Sequence, residues 1–136
     1  MRVFLDANVI FSAAQAGSLA RFLVEIVATH AQAVVHPAVW EEAIRNLRLK
    51  RPAWVDGLEE LRRLTTMSAA QAACPAGLLP DKDEHVLGAA IAGHCDYLVT
   101  GDRTHFGTLY GRTIRGVIIV SPRELAGELR VRGWIG

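Results

Sequence analysis

The sequence predicts a three-layer α/β/α domain, with a central parallel sheet of four to five strands flanked by helices. Three observations lead there: short apolar runs recur along the chain, segments with helical spacing separate them, and proline marks two of the passages from run to helix. A strand buried on both faces reads as a continuous apolar run, and strands that alternate with helices favour parallel pairing.

The first run, Val3-Phe4-Leu5, is stopped by Asp6. Leu19, Phe22, Leu23, Ile26 and Val27 then recur at helical spacing and predict the apolar face of a helix. Ala33-Val34-Val35 is the second run; Pro37 follows after one polar residue, where it suits the first helical position, and Val39, Trp40, Ala43, Ile44 and Leu47 give that helix its stripe. Residues 53–65 carry Leu58, Leu61 and Leu64 among Glu59, Glu60, Arg62 and Arg63, the pattern of an exposed amphipathic helix. Residues 66–80 show no firm period and predict a weak helix end and a loop. Asp81-Lys82-Asp83-Glu84 has the Asp-to-Glu spacing of a capping box, with Asp81 as the N-cap, ahead of Val86, Leu87, Ala90 and Ile91. Tyr97-Leu98-Val99 and Val117-Ile118-Ile119-Val120 are the remaining runs, and Ser121-Pro122-Arg123-Glu124 is a capping box with Pro inside it. There is no internal repeat.

A chain of 136 residues, 51% of them apolar, is long enough to bury a core as one domain, residues 1–136. The apolar runs fall well short of the roughly 18 residues that a membrane helix needs, and MRVFLD lacks a signal-peptide core. The expectation is a soluble, cytoplasmic protein with no membrane partner. Cys74 and Cys95 lack C-x-x-C spacing and read as small apolar fillers, consistent with a reducing compartment. With 15 Lys and Arg against 14 Asp and Glu, no whole-molecule field draws in nucleic acid, and such binding must come from local patches.

Acids at the ends of parallel strands share a floor, because ligands of open parallel sheets bind beyond the C-terminal strand ends, where strand order reverses. Asp6 ends the first run and Asp102 lies two residues past Thr100, in YLVTGDRTHF. Glu42 sits early in the helix after the second run and Asp83 in the first turn of a later one; spacing alone leaves open whether they face the same floor. Crowded carboxylates repel unless a cation sits among them. Oxygen ligands without a Cys or His cluster at zinc spacing favour Mg²⁺ or Mn²⁺, an ion that activates water and stabilises the leaving oxygen of a phosphodiester. Thr100 is expected to offer a hydroxyl to this shell, Gly101 to let the backbone turn sharply, and Asn8 to orient Asp6 through its amide.

These residues resemble a family, the PIN-domain ribonucleases, and within it the VapC-like toxin components of toxin–antitoxin systems. The resemblance rests on MRVFLDANVIFSA, PAVWEEAIRNL, PDKDEHVLGAAIAGHCDYLVTGD followed by RTHF, and VIIVSPREL, and so covers nearly the whole chain. It implies a PIN-like fold and places the family's four acids, as catalytic residues and metal ligands, on Asp6, Glu42, Asp83 and Asp102. The family's phase selects Glu42 over Glu41, five residues before Leu47, and Asp83 over Asp81, three before Val86-Leu87. Glu41 then reads as a solvated helix-face acid. Family members often carry a further Asp or Asn just before the Phe of the last motif; here that position is His105.

The resemblance further implies a Mg²⁺- or Mn²⁺-dependent endoribonuclease, an RNA substrate, an antitoxin protein as partner and a homodimer. The alternative is a catalytically silent binding module of the same fold, acting through protein or RNA contacts. For the phosphate backbone the candidate cations are Arg103, beside Asp102, and Arg45 and Arg48, with Lys50 and Arg51 after them, on the helix of Glu42 and its exit.

Overall fold

The runs with the least polar content lie at the centre of a six-stranded sheet. In the computed structural model, which describes residues 1–136, the strands are β1 (Arg2–Leu5), β2 (Gln32–Val35), β3 (Thr65–Met67), β4 (Tyr97–Val99), β5 (Thr113–Ile114) and β6 (Val117–Val120). They lie in the order β3-β2-β1-β4-β6-β5; all pairings are parallel except β5 with β6. Phe4 stands opposite Val34 on one side and Leu98 on the other, and all three are fully buried. The helices are α1 (Ala7–Ala13), α2 (Leu19–His30), α3 (Pro37–Lys50), α4 (Gly57–Leu64), α5 (Asp81–Ala92), α6 (Arg103–Phe106) and α7 (Pro122–Val131). None is long and apolar enough to cross a membrane.

The chain builds outward from β1 through β2 to β3, then returns to lay β4 on the other side of β1. Strand order therefore reverses between β1 and β4, which makes their C-terminal ends the switch point where open sheets of this kind bind ligands. Asp6 follows one of these strands, and Thr100 to Asp102 follow the other.

Five of the six strands form the expected parallel sheet, and β5 is added antiparallel at one edge. β3 escaped notice because its Thr65 and Thr66 interrupt any apolar run; an edge strand paired on one side only can stay half-exposed and polar. β5 is two residues long and joins β6 through Arg115-Gly116, both at positive φ (48° and 86°), the backbone that a two-residue hairpin turn requires.

Two local expectations are corrected. Pro80, not Asp81, is the N-cap of α5, with no side-chain cap bond, because Asp81 is already the first helical residue. In α2 the apolar face is rotated: Leu19 and Phe22 are 59% and 43% exposed, while Arg21 is only 5% exposed. Its guanidinium donates to the carbonyls of Ala13 (2.7 Å) and Gly57 (3.1 Å) and pairs with Glu60 at 2.5 Å, so it ties α1, α2 and α4 together. A buried cation with its N–H groups so satisfied is tolerable where a lone one is not. The capping box of α7 forms as expected, with Ser121 and Glu124 each bonded to the other's backbone amide at 3.1 Å.

The segment between β3 and α5 is irregular but anchored. Ala72 N–H donates to the Gly88 carbonyl (3.2 Å) and Gln71 Nε2 to that of His85 (3.0 Å). This close approach depends on Gly88 lacking a side chain, since a Cβ there would lie 2.2 Å from the Ala72 oxygen. Gly88→Ala is expected to destabilise the fold by about 1–3 kcal/mol, as overpacking does, measured as a lower urea midpoint; an unchanged midpoint would show that the segment is not held this way.

Candidate active site and metal centre

Asp6 is the N-cap of α1, and its Oδ1 accepts a hydrogen bond from Ala7 N–H at 2.8 Å. Its Oδ2 accepts from the Thr100 hydroxyl at 2.8 Å and from Asn8 Nδ2 at 3.2 Å. The carboxylate is only 5% exposed. Burial pushes its pKa above the ordinary carboxylate value, the bonds from Thr100 and Ala7 pull against this, Glu42's charge adds to the rise, and the bond from Asn8 lowers it.

Thr100 is fully buried, and its hydroxyl is committed on both sides: it donates to Asp6 and accepts from Asp102 N–H at 3.1 Å. It therefore positions two of the acids instead of facing a substrate shell. Its carbonyl accepts from the Tyr110 hydroxyl at 2.8 Å, which pins the end of β4. Asn8 bridges the switch point as expected, donating to Asp6 while its Oδ1 accepts from Gly101 N–H at 2.7 Å. Gly101 does not adopt a positive φ. What its missing side chain provides is room, because a Cβ there would come within 3.3 Å of Asn8 Oδ1.

Asp102 caps the short α6 through Oδ1, which accepts His105 N–H at 3.2 Å, while its Oδ2 meets His105 Nδ1 at 2.8 Å. Asp83, in the first turn of α5, brings its own Oδ2 to 3.2 Å from the same nitrogen. A proton on that nitrogen would bond to Asp102, the nearer oxygen. Asp83 Oδ2 is left buried without a hydrogen bond.

Asp6, Glu42, Asp83 and Asp102 together line one open cleft of about 350 Å³. Its wall also includes Asn8, Ser12, Asn46, Lys50, Lys82 and His85. Glu42, Asn46 and Lys50 are spaced by four, so they stack along one face of α3; that stripe was readable in the sequence for Asn46, whereas nothing in the chain pattern marks Ser12, Lys82 or His85. Glu41, Arg45 and Arg48 line a separate groove with Ile44 and Leu49, because Arg45 is one turn from Glu41. Arg103 is exposed beside Asp102 and does not line the cleft.

A model of the PIN domain matches residues 2–104, a span that contains all four acids. The chain belongs to the PIN domain family. Among solved structures, this PIN domain is similar to VapBC2 from Rickettsia felis, solved bound to a DNA fragment from its promoter: the TM-score is 0.65 at 16% identity, over 89% of this chain and 98% of that one. At that identity the likeness is one of fold. No curated protein is a match. The last two strands and α7 lie beyond the span matched by the PIN model.

The donor set of this PIN domain fits a divalent cation: Asp83, Asp102 and His105 each bring a ligand atom within 4.8 Å of the others, one buried Asp83 oxygen lacks a hydrogen bond, and Asp6 and Glu42 line the same cleft outside that group. In the cation-free state, Asp6 holds its proton more tightly when folded than when unfolded, so ionising it lowers stability as pH rises from the ordinary carboxylate value through the raised one. As pH rises above the ordinary carboxylate value in EDTA, wild-type stability is expected to fall relative to Asp6→Asn in urea titrations; parallel pH profiles would contradict it. Thr100→Val is expected to cost about 1–3 kcal/mol, because it strips Asp6 of a donor and Asp102 N–H of its acceptor; an unaltered urea midpoint would mean that the buried hydroxyl holds nothing in place.

Proposed function

We propose that this PIN domain is a Mg²⁺- or Mn²⁺-dependent endoribonuclease, the toxin of a toxin–antitoxin pair. The observation that carries the reading is that four acids, far apart in sequence, line a single cleft at the switch point of the sheet. Crowded carboxylates repel, and a bound cation relieves that repulsion.

Asp6, Glu42, Asp83 and Asp102 would hold the ion. When bound, it supplies electrostatic stabilisation for the attacking and leaving oxygens of the phosphodiester. Thr100, Asn8 and the Ala7 amide fix the Asp6 carboxylate in one orientation, so little reorganisation is left for the reaction itself. Lys50 and Lys82, on the cleft wall, are the cations best placed to contact the RNA backbone. Arg103 is retained as a contact at the rim. Arg45 and Arg48 open onto their own groove and are the weaker candidates. The fold shared with VapBC2 supports a protein antitoxin as partner, and Leu19 and Phe22 leave apolar surface on α2 for a protein contact, with the antitoxin or in a homodimer.

The test is cleavage of RNA by the purified chain with Mg²⁺ or Mn²⁺ and with EDTA. EDTA, Asp6→Asn, Asp102→Asn and Glu42→Gln are each expected to lower the rate at least about a hundredfold, or roughly 2.7 kcal/mol in barrier, while Glu41→Gln retains it, since successive helix residues point about 100° apart. Cleavage that survives both EDTA and Asp102→Asn would leave the silent binding module as the better reading.

A further inference from the structure

His105 Nδ1 lies 2.8 Å from Asp102 Oδ2 and 3.2 Å from Asp83 Oδ2, with all three donor atoms mutually close. With both carboxylates ionised, the single Nδ1 site makes a well-directed hydrogen bond to only one of them. A proton on Nδ1 serves Asp102 and leaves the buried Asp83 oxygen without a partner, whereas a bare Nδ1 turns a lone pair toward two carboxylate oxygens. The rest of the arrangement leaves these atoms available: Asp102 Oδ1 is occupied by capping α6, which leaves Oδ2 directed at the ring and at Asp83. The two nitrogen–oxygen separations, 2.8 and 3.2 Å, match the spacing between neighbouring ligands of an octahedral ion with bonds of roughly 2.1 Å.

We infer that His105 is a direct metal ligand through Nδ1, forming with Asp83 and Asp102 a mixed nitrogen–oxygen triad that makes the site favour Mn²⁺ over Mg²⁺. The inference rests on the metal-dependent reading above and refines it. Mg²⁺ takes oxygen ligands and gains little from an imidazole, whereas transition ions accept nitrogen readily. An all-carboxylate site would lack this bias. The side chain that decides it comes from α6, a helix of four residues that Asp102 itself caps, so one acid both binds the ion and presents the nitrogen to it.

The experiment is pulsed electron paramagnetic resonance on the EDTA-stripped chain reloaded with Mn²⁺, together with Mn²⁺ and Mg²⁺ titrations by calorimetry. Wild type is expected to show nitrogen-14 coupling to the bound Mn²⁺. His105→Asn and His105→Asp should lose it, and their preference for Mn²⁺ over Mg²⁺ should fall at least about tenfold. Mn²⁺ that binds in wild type without nitrogen coupling, yet is displaced by Asp83→Asn, would overturn the inference and leave the nuclease reading standing. Coupling that persists in His105→Asn would also overturn it and point to His85 on the same cleft wall. Failure of wild type to bind either ion at millimolar concentration would remove the metal-dependent reading, and this inference with it.

Discussion

The arrangement of the site depends on a buried carboxylate that needs partners. Asp6 stands at the end of a strand that is buried beyond its first residue, where an unpartnered charge would be expensive. Its three donors come from different places: the first amide of α1, the amide side chain of Asn8, and a hydroxyl at the end of β4. The bond to Thr100 is the one that crosses the sheet. Through it the ends of β1 and β4 are held in register, and the same hydroxyl accepts Asp102 N–H, so the second acid is positioned by the bond that stabilises the first. Asn8 repeats the crossing on the outside with its bond to Gly101.

The other two acids arrive by packing. Glu42 reaches the cleft because Val39, Ala43 and Leu47 bury the adjoining face of α3, which leaves the stripe of Glu42, Asn46 and Lys50 at the cleft. Asp83 is carried on α5, whose position depends on the irregular segment before it and on the close contact at Gly88. Hydrogen bonds thus hold two of the acids and packing brings the other two, and their convergence on one cleft leaves one carboxylate oxygen of Asp83 unsatisfied. A functional site is where such local conflict is expected to persist, since the fold elsewhere satisfies its polar groups. Arg21 illustrates the contrast: more deeply buried than Asp83, it has partners for each of its nitrogens and serves to bind helices together.

Much of this was legible in the sequence. Continuous apolar runs identify the four inner strands because the parts of a strand covered on both faces are apolar, and the stop at Asp6 and the Thr100-Gly101-Asp102 ending place carboxylates at their C-terminal ends. Pro37 and the capping box of Ser121 and Glu124 mark helix starts by local chemistry alone, so they appear where expected. β3 and β5 were illegible because edge strands need no apolar run. The apolar face of α2 was misjudged because periodicity shows that a stripe exists, whereas its rotation is set by what it packs against. Arg21 lies inward because three acceptors wait for it there.

The sequence by itself determined the fold class and the types of residue available to the site, because strand burial, helix starts and the acids that follow strands are local properties. Only the tertiary structure decided how those residues are used. Thr100 carries a hydroxyl in either view, but the crossing of β4 beside β1 commits it to Asp6 and Asp102. Arg45 and Lys50 are both cations on one helix, and the rotation of α3 turns only Lys50 to the cleft. His105 reads as a departure from a motif until α5 brings Asp83 to the nitrogen that already touches Asp102. Distance along the chain says nothing of distance in space, and the chemistry of a site depends on the latter.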